Sequence, residues 1–153
     1  MIVIGFRVSL ELIIYSVLEG TKEKPIVRSI KQVKLPKGYK RIDMMKWLYN
    51  EMVSVIKTEN PELIAIKDTE VPARHGNKYI ERVENETIII LAGIASNIKN
   101  YYKKIRSSIA KDLVGKGKGK YLETKLDISK ILDFSKYNQN QQEAILVAWS
   151  ILK

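Results

Sequence analysis

The sequence predicts a single α/β domain, residues 1–153, built on a mixed five-stranded sheet in which three antiparallel strands precede the parallel ones and helices flank the sheet. Three observations predict it. The first 35 residues are rich in β-branched and other apolar residues interrupted only by short polar breaks, as in a strand meander. The remainder alternates helix-period segments with short apolar runs, as in crossover connections between parallel strands. At 153 residues the chain is long enough to bury a sizeable core without metal or disulfide support.

Element by element, IVIGFRV at residues 2–8 and LELIIYSVL at 10–18 read as two strands joined by a bend near Ser9. Residues 26–35, IVRSIKQVKL, place polar residues between β-branched ones and suit a third strand with one wet face. Ile42, Met45, Leu48, Met52 and Val55 recur at threes and fours, which predicts an amphipathic helix over 41–58 closed by Asn60 and Pro61. The run 63–66 is then a buried strand, and 68–77 a loop. Ile80, Val83, Thr87, Ile90, Leu91, Ile94 and Ile98 keep helical spacing and predict a second long helix. Residues 100–106 form a fifth strand, 109–113 a helical turn, and 139–152 a closing helix whose Ile145, Ala148, Trp149 and Leu152 make one buried stripe.

Charge narrows the function classes. Lys and Arg number 27 against 17 Asp and Glu, a net charge of +10. Nine of the basic residues and only two acidic ones lie between Lys99 and Lys125, a local excess of +7. Such a field attracts polyanions, so nucleic acid is the expected partner; an AT-rich coding bias toward lysine is the competing explanation. The absence of cysteine excludes thiolate zinc sites and cysteine nucleophiles and fits a reducing compartment. No apolar run is long enough to span a bilayer, and the apolar N-terminus, interrupted by Arg7 and Glu11, reads as strand rather than leader. A cytoplasmic protein without membrane association is therefore expected, with a homodimer admitted as its assembly.

The GKGKGK segment at 115–120 is no phosphate loop, because the glycines alternate with lysines and Tyr121 stands where a P-loop needs a hydroxyl residue. It reads either as mobile contact with a phosphate backbone or as a solvated loop. Tyr101, Tyr102 and Tyr121 beside the lysines read as stacking platforms for unpaired bases or as core tyrosines. His75, the single histidine, is expected to be exposed.

Four segments carry a family resemblance: Ile4-Gly5-Phe6-Arg7, residues 61–67 (PELIAIK), residues 109–120 (IAKDLVGKGKGK) and Gln142-Glu143-Ala144-Ile145. In their order and spacing the chain resembles the ribonuclease H-like superfamily in its branch of RuvC-like Holliday-junction resolvases, and is similar to small bacterial proteins of that fold with degenerate active sites. The resemblance implies two-metal phosphodiester hydrolysis, in which carboxylates hold two Mg²⁺ or Mn²⁺ ions. It also implies departures from that chemistry. The family's first-strand Asp is matched by Arg7, its fourth-strand Glu by Lys67 with Asp68 and Glu70 just beyond, and its paired last-helix Asp residues by Asn140 and Glu143. Asp68, one residue on from Lys67, is expected to aim at the opposite face.

The expected function is thus nucleic-acid binding through Arg7, Lys67, Arg74, Lys78, Lys103, Lys104, Lys116, Lys118 and Lys120, without efficient hydrolysis and without a cofactor. Arg7 and Lys67 either contact a phosphate directly or pair with Glu143 in place of the metals. One alternative is an endonuclease using Asp68, Glu70 and Glu143 with Mg²⁺ or Mn²⁺. Another is a protein-interaction module of a mobile element or phage.

Overall fold

In a computed structural model, which describes residues 1–70 and 76–153, the first strand is the middle of the sheet. The strands are β1 (Ile2–Val8), β2 (Leu12–Gly20), β3 (Pro25–Lys34), β4 (Leu63–Lys67) and β5 (Tyr101–Lys104), in the spatial order β3-β2-β1-β4-β5. β1 pairs antiparallel with β2 and β2 with β3, whereas β4 runs parallel to β1 and β5 parallel to β4. The expected mixed sheet is therefore the observed one. β1 is apolar along nearly its whole length because it is covered on both faces.

Alternation along the central strands builds two cores. Ile4, Phe6, Val8, Ile64 and Ile66 face α1 (Arg41–Glu59) and α2 (Asn77–Ala95). Val3, Leu18 and Ala65 face the other side. That side is covered by α3 (Arg106–Val114), α4 (Tyr121–Thr124) and above all α5 (Gln139–Trp149). Gly5 is what lets α5 come so near: a Cβ there would stand 2.3 Å from the Ala144 carbonyl oxygen and 2.7 Å from the Ala148 Cβ. α5 starts in a capping box, with the Asn138 side chain accepting from Gln141 N–H and the Gln141 side chain from Asn138 N–H, each at 3.0 Å.

Several boundaries depart from the sequence reading. β2 begins at Leu12 rather than residue 10, because Ser9 closes a turn in which its N–H and hydroxyl both donate to the Leu12 carbonyl. α2 ends at Ala95, and Asn97 takes a left-handed conformation, so Ile98 lies beyond the helix. The turn expected at 109–113 is a full helix from Arg106, stopped at Gly115, whose φ of 72° suits a residue without a Cβ. α5 is buried on all sides from Ala144 to Trp149 instead of along one stripe, since both the sheet and the 121–137 segment pack on it. That segment folds as α4 and two 3-10 turns, at Ile128–Lys130 and Phe134–Lys136. Among the described residues no helix is long and apolar enough to cross a membrane.

Candidate nucleic-acid interface

The parallel strands β1, β4 and β5 end side by side, and their register sets three cations in one cross-strand row. Arg7 is the partner of Lys67, and Lys67 of Lys104. These residues follow the Val3 and Ala65 alternation and so lie on the α3 and α5 face of the sheet. Each cation meets an acid from a different place. Arg7 Nε pairs with Glu143 of α5 while its Nη1 donates to the Val8 carbonyl at 2.6 Å. Lys67 is buried and donates to the Asp68 carbonyl at 3.0 Å and to Glu70 at 3.3 Å. Lys104 pairs with Asp112 of α3. Of the two roles open to Arg7, the structure shows the pairing with Glu143; Lys67 pairs instead with Glu70.

Glu70 does a second job. α3 begins after Ile105, a residue that offers no capping side chain, and the Glu70 carboxylate accepts the Arg106 backbone N–H at 3.3 Å. That bond, reinforced by Lys67, holds the Glu70 carboxyl below its ordinary pKa.

One residue along the strands, the other face of the sheet carries a different arrangement. Phe6 is the partner of Ile66 and Ile66 of Lys103. Lys103 Nζ lies 2.7 Å from Glu86 of α2 and 3.0 Å from Asp68. Asp68 is thus on the opposite face from Lys67, as the strand period requires. Glu86 is wholly buried and also accepts the Thr69 backbone N–H at 3.1 Å and the Thr69 hydroxyl. Burial alone would lower the pKa of Lys103, but Glu86 and Asp68 outweigh it and raise the ammonium above its usual value. Glu86 escaped the sequence reading, although a signal existed: it falls three and seven residues before Ile89 and Gly93, on the stripe of α2 that is buried.

Asp68, Glu70 and Glu143 are each held by a different lysine or arginine. Among the described residues no three histidine or acidic side chains stand together as a group able to hold a metal ion. Asn140 is exposed.

The remaining cations fall into two sets. Lys116, Lys118 and Lys120 are exposed on the loop between α3 and α4. The ammonium groups of Lys116, Lys120 and Lys125 stand 5.6, 5.6 and 4.9 Å from the centre of the Tyr121 ring, within cation–π range. Tyr101 and Tyr102 are 50% and 41% exposed on the edge strand rather than core. Lys78 is exposed in the first turn of α2, and Arg106 pairs with Glu123. Arg74 and His75 lie outside the described residues.

Two clefts open on this end of the sheet. One, of about 480 Å³, is lined by Arg106, Leu122, Phe134, Gln139, Gln142 and Glu143. The other, of about 510 Å³, lies at the start of α2 between Thr69, Glu70, Lys78 and Arg82.

Neither a protein-family model nor a curated protein sequence matches the chain. Solved structures do. Thermus thermophilus RuvC superposes with a TM-score of 0.80 at 16% identity, covering 98% of this chain and 92% of that one. T. thermophilus RuvC in complex with Holliday junction substrate gives 0.82 at 14% identity with the same coverage. The yeast mitochondrial Holliday junction resolvase Ydc2 gives 0.64 at 14%, covering 97% of this chain and 76% of that one. Together with the strand order and the placement of α5 across β1, these likenesses establish that the chain has the ribonuclease H-like fold in its RuvC-like form.

Proposed function

We propose that the chain is a nucleic-acid-binding protein that has exchanged the metal chemistry of its fold for fixed cations. The observation that carries this reading is the row Arg7, Lys67, Lys104 at the ends of three parallel strands. A two-metal centre needs carboxylates converging on divalent ions. Here the strands present a guanidinium and two ammonium groups, and the helix carboxylate Glu143 is turned onto Arg7. This donor set does not fit a pair of Mg²⁺ or Mn²⁺ ions: a divalent ion beside Arg7 and Lys67 would meet positive charge where it needs negative. The same field suits a phosphate backbone, which arginine binds with its planar fork and lysine as a point charge.

The neighbours in fold point the same way, since one of the solved RuvC structures and the fowlpox virus resolvase structure contain Holliday junction DNA. The exposed lysines of the 115–120 loop, gathered around Tyr121, extend the basic surface and suit contacts with the backbone rather than with base edges. Binding of labelled four-way DNA junction, duplex and single-stranded RNA across a salt series tests the reading. Affinity is expected to fall linearly on a log–log plot, by about 0.9 log unit per phosphate neutralised on duplex and about 0.7 on single strands, with little dependence on sequence. Binding that is absent for all three probes, or insensitive to salt, contradicts it.

A second reading, a protein-interaction module, is favoured by the outer flank of the α1 and α2 pair. Ile42, Ile80, Leu91 and Ile94 are more than half exposed there. Of these, Ile80 and Leu91 line an apolar groove of about 300 Å³ together with Met45, Val83 and Ile88. A second copy of the chain is the simplest occupant. Sedimentation of the wild type against Leu91→Lys checks it: a dimer that the charge dissociates supports the reading, and a monomer at all concentrations refutes it.

A further inference from the structure

Arg82 belongs to none of the pairs described so far. It lies on α2 one turn before Glu86 and reaches the end of β1, where one of its terminal nitrogens is 3.4 Å from the Val8 carbonyl oxygen. That oxygen already accepts Arg7 Nη1 at 2.6 Å. Two guanidinium groups therefore crowd one neutral acceptor. The carboxylates nearby are committed elsewhere: Glu86 to Thr69 and Lys103, Glu143 to Arg7. The Arg82 Nε–H is sealed from solvent with no acceptor. Burial, and then the neighbouring charge of Arg7, lower the pKa of this guanidinium, and Glu86 and Glu143 offset them only in part.

Arg82 lines the cleft of about 510 Å³ at the start of α2 together with Lys78, Asn77 and Thr69. Glu70, the acid on its wall, is neutralised by Lys67 and the Arg106 backbone N–H. The first turn of α2 contains no acidic residue, so its amide end carries no carboxylate of its own to oppose an anion. A group with several oxygens and a full negative charge is what this geometry lacks. It would accept from both forks at once and relieve the repulsion between them.

We propose that Arg82 and Arg7 together form a seat for one phosphate group, entering through the cleft at the start of α2. That the group is a phosphodiester of a nucleic acid rests on the function proposed above; the seat itself rests on the local geometry alone. The test follows the arginine side-chain Nε–H signals of the full-length, isotope-labelled chain by nuclear magnetic resonance. The Nε–H of Arg82, sealed from solvent, is expected to exchange slowly enough to serve as the probe. Inorganic phosphate and a single-stranded oligonucleotide are added in separate titrations, with sodium chloride at matched ionic strength as control.

Saturable movement of both the Arg7 and Arg82 signals with phosphate and oligonucleotide, and none with chloride, is the expected result. Arg82→Gln should then abolish the response of Arg7 to phosphate. It should also lower oligonucleotide affinity about tenfold and reduce the slope against log salt by about one phosphate's share. Arg82→Lys, which keeps the charge and loses the fork, should recover only part of the affinity, and a melting curve on each variant confirms that it is folded. If phosphate moves both signals while the oligonucleotide does not bind, the seat stands and the nucleic-acid reading falls. If the oligonucleotide binds while the Arg82 signal stays still, or if folded Arg82→Gln keeps wild-type affinity and slope, the seat is refuted.

Discussion

Two rows of cross-strand neighbours end at the same edge of the sheet, one residue apart, and they have opposite fates. Arg7, Lys67 and Lys104 face α3 and α5, and the acids that pair with them, Glu143, Glu70 and Asp112, each line a cleft. Phe6, Ile66 and Lys103 face α2, and Lys103 ends there on a carboxylate with no exposure at all. The strand period of two sends one row to the α3 and α5 side of the sheet and the other to the α2 side. The lesson is that charge inside a fold has no single meaning: the pair with buried Glu86 ties α2 to the sheet, while the other row is, in the function proposed above, the field that meets a phosphate.

The sharpest way to break that contrast is Glu86→Ala. It removes a fully buried acceptor from the Thr69 N–H and leaves Lys103 with Asp68 alone, and removing one partner of a buried pair costs roughly 3–5 kcal/mol, here near the lower end. For a chain of this size each kcal/mol lowers the melting temperature by about 2–4 °C, so thermal unfolding should register a large fall. A Glu86→Ala variant as stable as wild type would mean that the inner row is not structural.

Gly5→Ala comes next. The new methyl group would run into the Ala144 carbonyl of α5, and overpacking of this kind costs about 1–3 kcal/mol. Urea unfolding measures it, and a change within experimental error would show that α5 can shift outward.

Glu143→Gln addresses the outer row. It removes the carboxylate that occupies Arg7 while keeping the shape, with a stability loss expected near 1 kcal/mol because the pair is only partly buried. Nucleic-acid affinity should rise severalfold as Arg7 is released, with a steeper salt slope. A fall in affinity would reverse the role given to this carboxylate.

The smallest effect concerns acid stability. The folded-state pKa of Glu70 lies below the ordinary 4.5, chiefly through the Arg106 N–H. A depressed carboxylate stabilises the fold at pH above its unfolded value and loses that contribution as pH falls through the folded one. Glu70→Gln should therefore flatten the stability profile slightly below pH 4.5 and leave its neutral-pH shape unchanged. An identical acid limb in both proteins would contradict the capping role.

What the sequence made legible follows from periodicity. The meander, the two long helices, the short fourth strand and the closing helix are all carried by apolar spacing, which local residues determine. The segment 121–137 was opaque because its α4 and 3-10 turns are only three or four residues long, too short for a period to show. At the site, Arg7, Lys67 and Glu143 were readable from the resemblance, and the flip of Asp68 from the strand period. Lys103 and Lys104 both read as surface cations, yet Lys103 ends on Asp68 and Glu86 and Lys104 on Asp112. Those partners were invisible because they are set by tertiary register. Arg82 was missed for the same reason: nothing in α2 alone says that its side chain reaches Val8.

The most direct test of the exchange of metals for fixed cations is a four-way DNA junction incubated with the protein in manganese and in chelator. Equal, salt-sensitive binding in both conditions with the strands left intact is the predicted result. Manganese-dependent strand cleavage that Glu143→Ala abolishes would contradict the account.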